Sequence, residues 1–154
     1  MLLASREVTR DWLRRETAYV SQERPWLDEL SIRDVVAVAA LMYPAFDRDL
    51  AERALSGCGL LKHRRVGTCS AGEQRMIEHV VACCSGSAIV ALDETFAFLD
   101  ESRAALLAKT ATEASIRSLV LIAVQDTAQQ SLFADADRYL VVRDGSTARV
   151  LKDD

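Results

Sequence analysis

What this chain lacks narrows its chemistry before any motif is considered. No stretch matches G-x-x-x-x-G-K-[ST], the loop whose backbone amides cradle phosphates. Basic residues are outnumbered: 19 Lys and Arg face 23 Asp and Glu, a net charge of −4, so no basic surplus exists to grip nucleic acid. The basic pairs Arg14-Arg15 and Arg64-Arg65 are isolated and read as solvated surface. The longest apolar run, Val35 to Tyr43, ends at Pro44, well short of the roughly 20 residues a membrane span requires. The N-terminus carries Arg6, Glu7, Arg10 and Asp11 where a signal peptide would be apolar. The four cysteines, Cys58, Cys69, Cys83 and Cys84, form no CxxC pair, so neither a zinc ribbon nor a thioredoxin-type site is indicated. Nothing implies an oxidising compartment. His79 and Cys83 lie four apart and can share a helix face, but two potential ligands do not make a metal site, and core packing explains both.

What remains is an ordinary soluble composition, 50% hydrophobic and 27% charged, in a length of 154 residues that suits one domain. Leu2–Ala4 and Thr17–Val20 read as short strands with a charged stretch between them. Ser31 can cap a helix in which Ile32, Val35, Val36, Ala39, Ala40 and Tyr43 recur at helical spacing. A second helix runs from Asp47 to Ser56, ended by Gly57 and Gly59, which tolerate a left-handed cap. Residues 22–70 are therefore expected to form a mainly helical insert. The rhythm then changes. A helix from about Gly72 to Cys84 precedes a strand at Ala88–Asp93, a helix from Glu101 to Ala114 follows, and a strand at Ser118–Val124 completes a parallel, right-handed strand–helix–strand unit. Thr127–Ala134 suggests a further short helix. Asp137–Val142 and Ala148–Leu151 suggest a hairpin around Asp144-Gly145.

Chemistry concentrates at three places. The apolar run Ala88–Leu92 ends in adjacent carboxylates, Asp93 and Glu94, with Asp100 following. Phosphoryl transfer needs one carboxylate to hold magnesium, directly or through water, and another group to orient the attacking water. Neighbouring residues at a strand's end can serve both needs, although acidic residues also end strands in plain surface turns. Thr68-Cys69-Ser70-Ala71-Gly72-Glu73 is a small-residue turn that opens a helix. The Ser70 hydroxyl and the Gly72 amide would lie at the positive end of its dipole, where anions bind. The same residues also read as an N-cap with an acidic first turn. Gln22, after the strand Thr17–Val20, could touch a metal ion or simply be a polar loop residue.

Taken in order, these elements resemble the nucleotide-binding domain of ABC-type ATPases over essentially the whole chain. Tyr19-Val20-Ser21-Gln22 is similar to the family's Q-loop, and Cys69-Ser70-Ala71-Gly72-Glu73 to its Leu-Ser-Gly-Gly-Gln signature. Ile89–Glu94 resembles the Walker B strand with its catalytic glutamate, and Ala97-Phe98-Leu99-Asp100 the D-loop. Ala136-Asp137-Arg138, before Val141–Gly145, resembles the closing segment. The resemblance implies an α/β fold: a partial P-loop NTPase-like parallel sheet core, with residues 71–154 as the Walker B and switch core and the helical subdomain at 22–70 before the signature. It implies ATP and Mg2+, with Asp93 and Gln22 toward the metal, Glu94 and Gln125 catalytic, and Gln22, Ser70, Ala71, Gly72, Glu73 and Asp100 toward the nucleotide. The partners it implies are a second ABC ATPase subunit and a transmembrane transporter domain, on the cytoplasmic side of a membrane, with no nucleic acid. Leu27, Leu30 and Ile32 resemble the region where the family docks its membrane domain. Tyr19 to Pro44 and Val124–Phe133 loosely resemble the lipid- and drug-exporting G subfamily.

Three departures bear on whether the chain is itself an ATP hydrolase. In the family the P-loop precedes the Q-loop, and this sequence begins past it, so a triphosphate would meet Asp93 and Glu94 with little positive compensation. Gln125 stands at the switch position, where the family has histidine; a glutamine can donate a hydrogen bond but cannot carry an imidazolium's charge. Cys69, Ala71 and Glu73 vary the signature, and Thr95 stands where the family's proline follows the glutamate. The family's sites are shared across a dimer, so a chain with a signature and no P-loop could still complete a partner's site. Three readings follow: part of a transporter ATPase, a non-hydrolytic module that pairs with a complete ATPase, or a relic with an exposed sheet edge. In-frame codons for a P-loop upstream of Met1 would favour the first. A broad, aggregating thermal transition would favour the last.

Overall fold

A computed structural model describes residues 9–20, 28–97, 99–124 and 132–133, and the backbone of two strands at 139–142 and 148–151. At its centre lie three parallel strands, β1 (Thr17–Val20), β2 (Ile89–Asp93) and β3 (Leu119–Ala123), side by side in that order. Their register puts Tyr19 beside Ala91 and Leu121, and Asp93 beside Ala123. β2 and β3 are aliphatic runs without polar alternation, the pattern of strands meant to be covered on both faces.

Among the described residues only one face is covered. Ala18 and Val20 of β1 and Val90 and Leu92 of β2 are buried against Ala82, Cys83, Ala111 and Ala114. These belong to α4 (Ala71–Cys83) and α5 (Glu101–Ser115), the second of which supplies the β2-to-β3 crossover. On the opposite face Tyr19 is 60% exposed, Leu121 52% and Leu119 39%. Side chains alternate along a strand, so Asp93, in step with Ile89 and Ala91, belongs to this uncovered face.

The helical subdomain forms as its local signals direct. α2 (Ile32–Met42) opens with a capping box in which the Ser31 hydroxyl accepts from the Asp34 amide and the Asp34 carboxylate accepts from the Ser31 amide. α3 (Arg48–Gly57) is capped by Asp47, whose carboxylate accepts from the Leu50 amide. Gly57 is still helical, and the left-handed residue is Gly59, with φ +75°. Ile32, Val35, Val36, Ala39, Ala51, Ala54 and Leu55 pack with Met76, Ile77 and Val80 of α4 into one cluster. Gly86 (φ +70°) is required where the chain turns from α4 to β2, because a Cβ there would lie 2.6 Å from the Ala45 carbonyl oxygen.

Two expectations need correction. The charged stretch before β1, expected only to connect two strands, is a helix, α1 (Arg10–Glu16). Thr9 caps it, with Asp11 in its first turn and Arg14 and Arg15 in its last, each favourable to the helix dipole; it buries no residue, so no apolar periodicity announces it. Arg14 and Arg15 are exposed, as is Arg65, but Arg64 is not a simple solvated charge, because it grips Glu73 (below). β4 (Tyr139–Val142) and β5 (Ala148–Leu151) form the expected antiparallel hairpin. The strand at Leu2–Ala4 and the helix at Thr127–Ala134 were expected in segments outside the described residues, apart from Leu132 and Phe133.

The two sheet faces should answer mutation differently. Leu92→Ala, on the covered face, should cost about 2–5 kcal/mol in urea unfolding. Leu121→Lys, on the open face, should cost under about 0.5 kcal/mol. Equal losses would mean that another element covers both faces.

Candidate functional site

β2 is the middle strand, and it delivers Asp93 and Glu94 to one end of the sheet. Asp93 is half-buried; the Tyr19 hydroxyl donates to its Oδ2 over a long 3.4 Å, and no ion pair reaches it among the described residues. Glu94 leaves the strand with φ +53°, the one non-glycine residue at positive φ among those described. That conformation costs a residue with a Cβ of order 1 kcal/mol. The Glu94 amide donates to the Ala123 carbonyl (3.1 Å), extending the pairing with β3 one residue past β2, and the Ala97 amide donates to the Glu94 carbonyl (3.1 Å). The backbone thus turns sharply where the two carboxylates stand.

The turn rests on buried groups. Thr95 and Phe96 are inaccessible, and the His79 ring of α4 lies 2.9 Å from Thr95 Oγ1 through Nδ1 and 3.0 Å from the Leu107 carbonyl of α5 through Nε2. Phe96 meets His79 edge to face (centroids 5.2 Å) and Phe133 likewise (5.0 Å). Burial pushes the His79 pKa down to about 4, against the opposing pull of the Leu107 carbonyl. His79 and Cys83 are core residues, in agreement with the packing reading. Burial raises the pKa of all four thiols, Cys84 to about 12, so none offers a thiolate near neutrality.

At the other end of α4, Ser70 is an N-cap. Its hydroxyl accepts from the Glu73 amide (3.2 Å), and the Glu73 carboxylate returns to accept from the Ser70 amide (2.7 Å). The two terminal nitrogens of the Arg64 guanidinium, Nη1 and Nη2, each donate to that carboxylate at 2.7 Å, and Nη2 also donates to the Thr68 carbonyl. The Arg64 bonds are the main cause of a Glu73 pKa lowered to about 2. The charge that Glu73 brings to the signature-like turn is therefore folded back and matched by Arg64, rather than presented outward. The Gln74 side chain ties the loop down by donating to the Val66 and Cys69 carbonyls. Ser70 and Ala71 stay exposed and Gly72 half-buried; the amides of Ala71 and Gly72, first in the helix, have no acceptor within it.

The candidate residues therefore fall into separate groups. Asp93 and Glu94 sit at the strand tip, while Ser70, Ala71, Gly72 and Glu73 sit at the start of α4. About 13 Å of helix separates Ser70 from His79, and among the described residues the hydrogen bonds of Ser70 are made within its own turn. Asp100 is exposed and caps α5, accepting from the Arg103 amide and pairing with its guanidinium at 3.5 Å. Gln22 and Gln125 lie outside the described residues. From the sequence Arg64 reads as solvated surface and His79 as core packing, and neither is given the partner that it has here. No pattern announces Arg64, which acts across a loop. The only signal at His79 was a polar residue on an otherwise apolar helical face.

Hard carboxylate oxygens such as those of Asp93 and Glu94 suit Mg2+, but the described residues contain no group of three candidate ligands. A magnesium ion here would need water or phosphate oxygens to fill its shell. The residues present fit the metal's near side only.

No protein-family model matches the sequence, and no curated protein matches it. Solved structures do. An ATP-binding subunit of an ABC transporter superimposes with a TM-score of 0.71 at 20% identity, over 86% of this chain and 57% of that one. A dimeric bacterial ABC transporter cassette gives 0.67 at 20% identity, over 94% and 68%. An archaeal ribosome recycling factor, solved with a ribosomal stalk protein, gives 0.68 at 18% identity, over 88% and 27%. The fold is that of the ABC-type ATPases. This chain spans just over half the length of the first of these relatives. An ABC-type fold serves a transporter in two of the three and a ribosome factor in the other, so it does not fix the partner. Among the described residues no helix is long and apolar enough to cross a membrane.

Two outcomes follow from this geometry. An unfolded His79 titrates near 6.5 and the folded one near 4, so the unfolded chain binds more protons between those values. Stability should be complete above pH 6.5 and decline by about 3 kcal/mol as pH falls to 4. Urea midpoints across that range check it, with His79→Gln flattening the profile. Ser70→Ala should cost about 0.5–2 kcal/mol through loss of the cap, read in the same assay.

Proposed function

We propose that this chain works as the signature and acidic-strand portion of an ABC transporter's ATP-binding subunit, coupling ATP binding and hydrolysis to solute movement with membrane partners. The observation that carries this reading is the central strand tip: Asp93 opens onto the uncovered sheet face and Glu94 is held beside it at positive φ. A carboxylate kept in a conformation that favours glycine points to a task for that carboxylate. Asp93 would hold Mg2+, with Gln22 close to it, and the metal would offset charge on the phosphates. Glu94 would accept a hydrogen bond from the attacking water and orient it. Gln125 would donate to a phosphate oxygen. Ser70 and the Ala71 and Gly72 amides would clamp the nucleotide of a second ABC ATPase subunit, while Glu73 stays turned back on Arg64. The phosphate-gripping loop must come from residues outside this sequence or from another chain. A peripheral place on a membrane's cytoplasmic side follows only through a transporter partner.

A second reading is favoured by Gln125: a non-hydrolytic module that lends its signature turn to a complete ATPase. Both readings share one experiment. The purified chain alone should retain no ATP on a filter. Mixed with a complete ABC ATP-binding subunit, it should raise turnover, and Ser70→Arg should abolish the gain. Glu94→Gln separates the two: a loss of roughly 10²–10⁴-fold in the gained turnover marks Glu94 as the reacting base. An unchanged gain assigns the chemistry to the partner. No gain on mixing any candidate subunit would sink both.

A further inference from the structure

We propose that His79 is a positioning residue that holds the Glu94 turn in place. A backbone carbonyl only accepts, so the 3.0 Å contact with the Leu107 oxygen requires a proton on His79 Nε2. A neutral imidazole then has a bare Nδ1, and the Thr95 hydroxyl, 2.9 Å away, donates to it. The ring is fully buried and makes both bonds, so its tautomer and orientation are fixed.

The placement gives this pair its meaning. Thr95 directly follows the strained Glu94, and its side chain is the first after the strand to enter the core completely. A residue held at positive φ persists only where its surroundings over-determine it. Here the constraints come from both sides. The Glu94 amide is tied to Ala123 of the sheet, and the next residue is tied through His79 to α4 and, across the ring, to α5. The edge-to-face contact of Phe96 on the same imidazole adds a third hold. That Glu94 has a reaction to serve rests on the proposed function. That His79 holds its turn does not.

The test uses the full chain and no nucleotide. Imidazole 15N shifts of His79 should show a protonated Nε2 and a bare, hydrogen-bonded Nδ1 at neutral pH. Amide exchange then compares Ala97, whose bond to Glu94 closes the turn, with Val66, bonded to Leu30 elsewhere in the core. Thr95→Val, which keeps the shape and removes the donor, should speed Ala97 exchange about tenfold relative to Val66, as expected for losing a hydrogen bond of about 1.4 kcal/mol. Thr95→Ser should restore the parent ratio. The opposite tautomer, an unprotected Ala97 in the parent chain, a ratio unmoved by Thr95→Val, or no rescue by serine would overturn the proposal. Failure here leaves the mixing experiment untouched, and failure of mixing leaves the exchange ratio untouched.

Discussion

Helix α4 is buried on nearly every side, and that burial constrains everything around it. Nine consecutive or near-consecutive positions from Gln74 to Cys83 are out of water, and three of them are polar: Gln74, Glu78 and His79. A buried polar group without a partner costs about 1–3 kcal/mol, so each must reach across to a neighbour. Gln74 reaches the loop before the helix, Glu78 pairs with Arg75, and His79 reaches Thr95 and Leu107. The helix thereby fixes the loop that precedes it, the turn that carries Glu94 and the helix that follows. One central element ties both groups of candidate residues to a common frame.

Among the described residues that frame is complete on one side only. The covered face of the sheet is closed by alanine and cysteine side chains small enough to let α4 and α5 lie close. The other face shows tyrosine and leucine to solvent, and Asp93 stands at its end. Whatever comes to lie on that face would meet the carboxylate from the same direction. The apolar surface and the acidic tip are features of one side of one strand set, fixed by strand alternation.

Much of this was legible in the sequence because its signals were local. Ser31 and Ser70 cap the helices that follow them, and the aliphatic runs became parallel strands. Helix α1 was not legible: its dipole-matched charges stabilise it without burying a face. The state of the signature-like turn was only half legible. Glu73 could be read as a cap or as an added charge; Arg64, nine residues earlier, decides between them through a loop closure that no pattern encodes. The separation of Asp100, Ser70 and Glu94 into three local roles likewise depends on tertiary placement.

The dihedral at Glu94 has a consequence for how such a chain drifts. At φ +53° a glycine would sit without steric cost. Replacing glutamate by glycine would relieve that crowding while loosening the unfolded chain, two effects of about 1 kcal/mol that nearly cancel. As far as the main chain is concerned the exchange is close to neutral, so the backbone at this position does not itself call for a carboxylate.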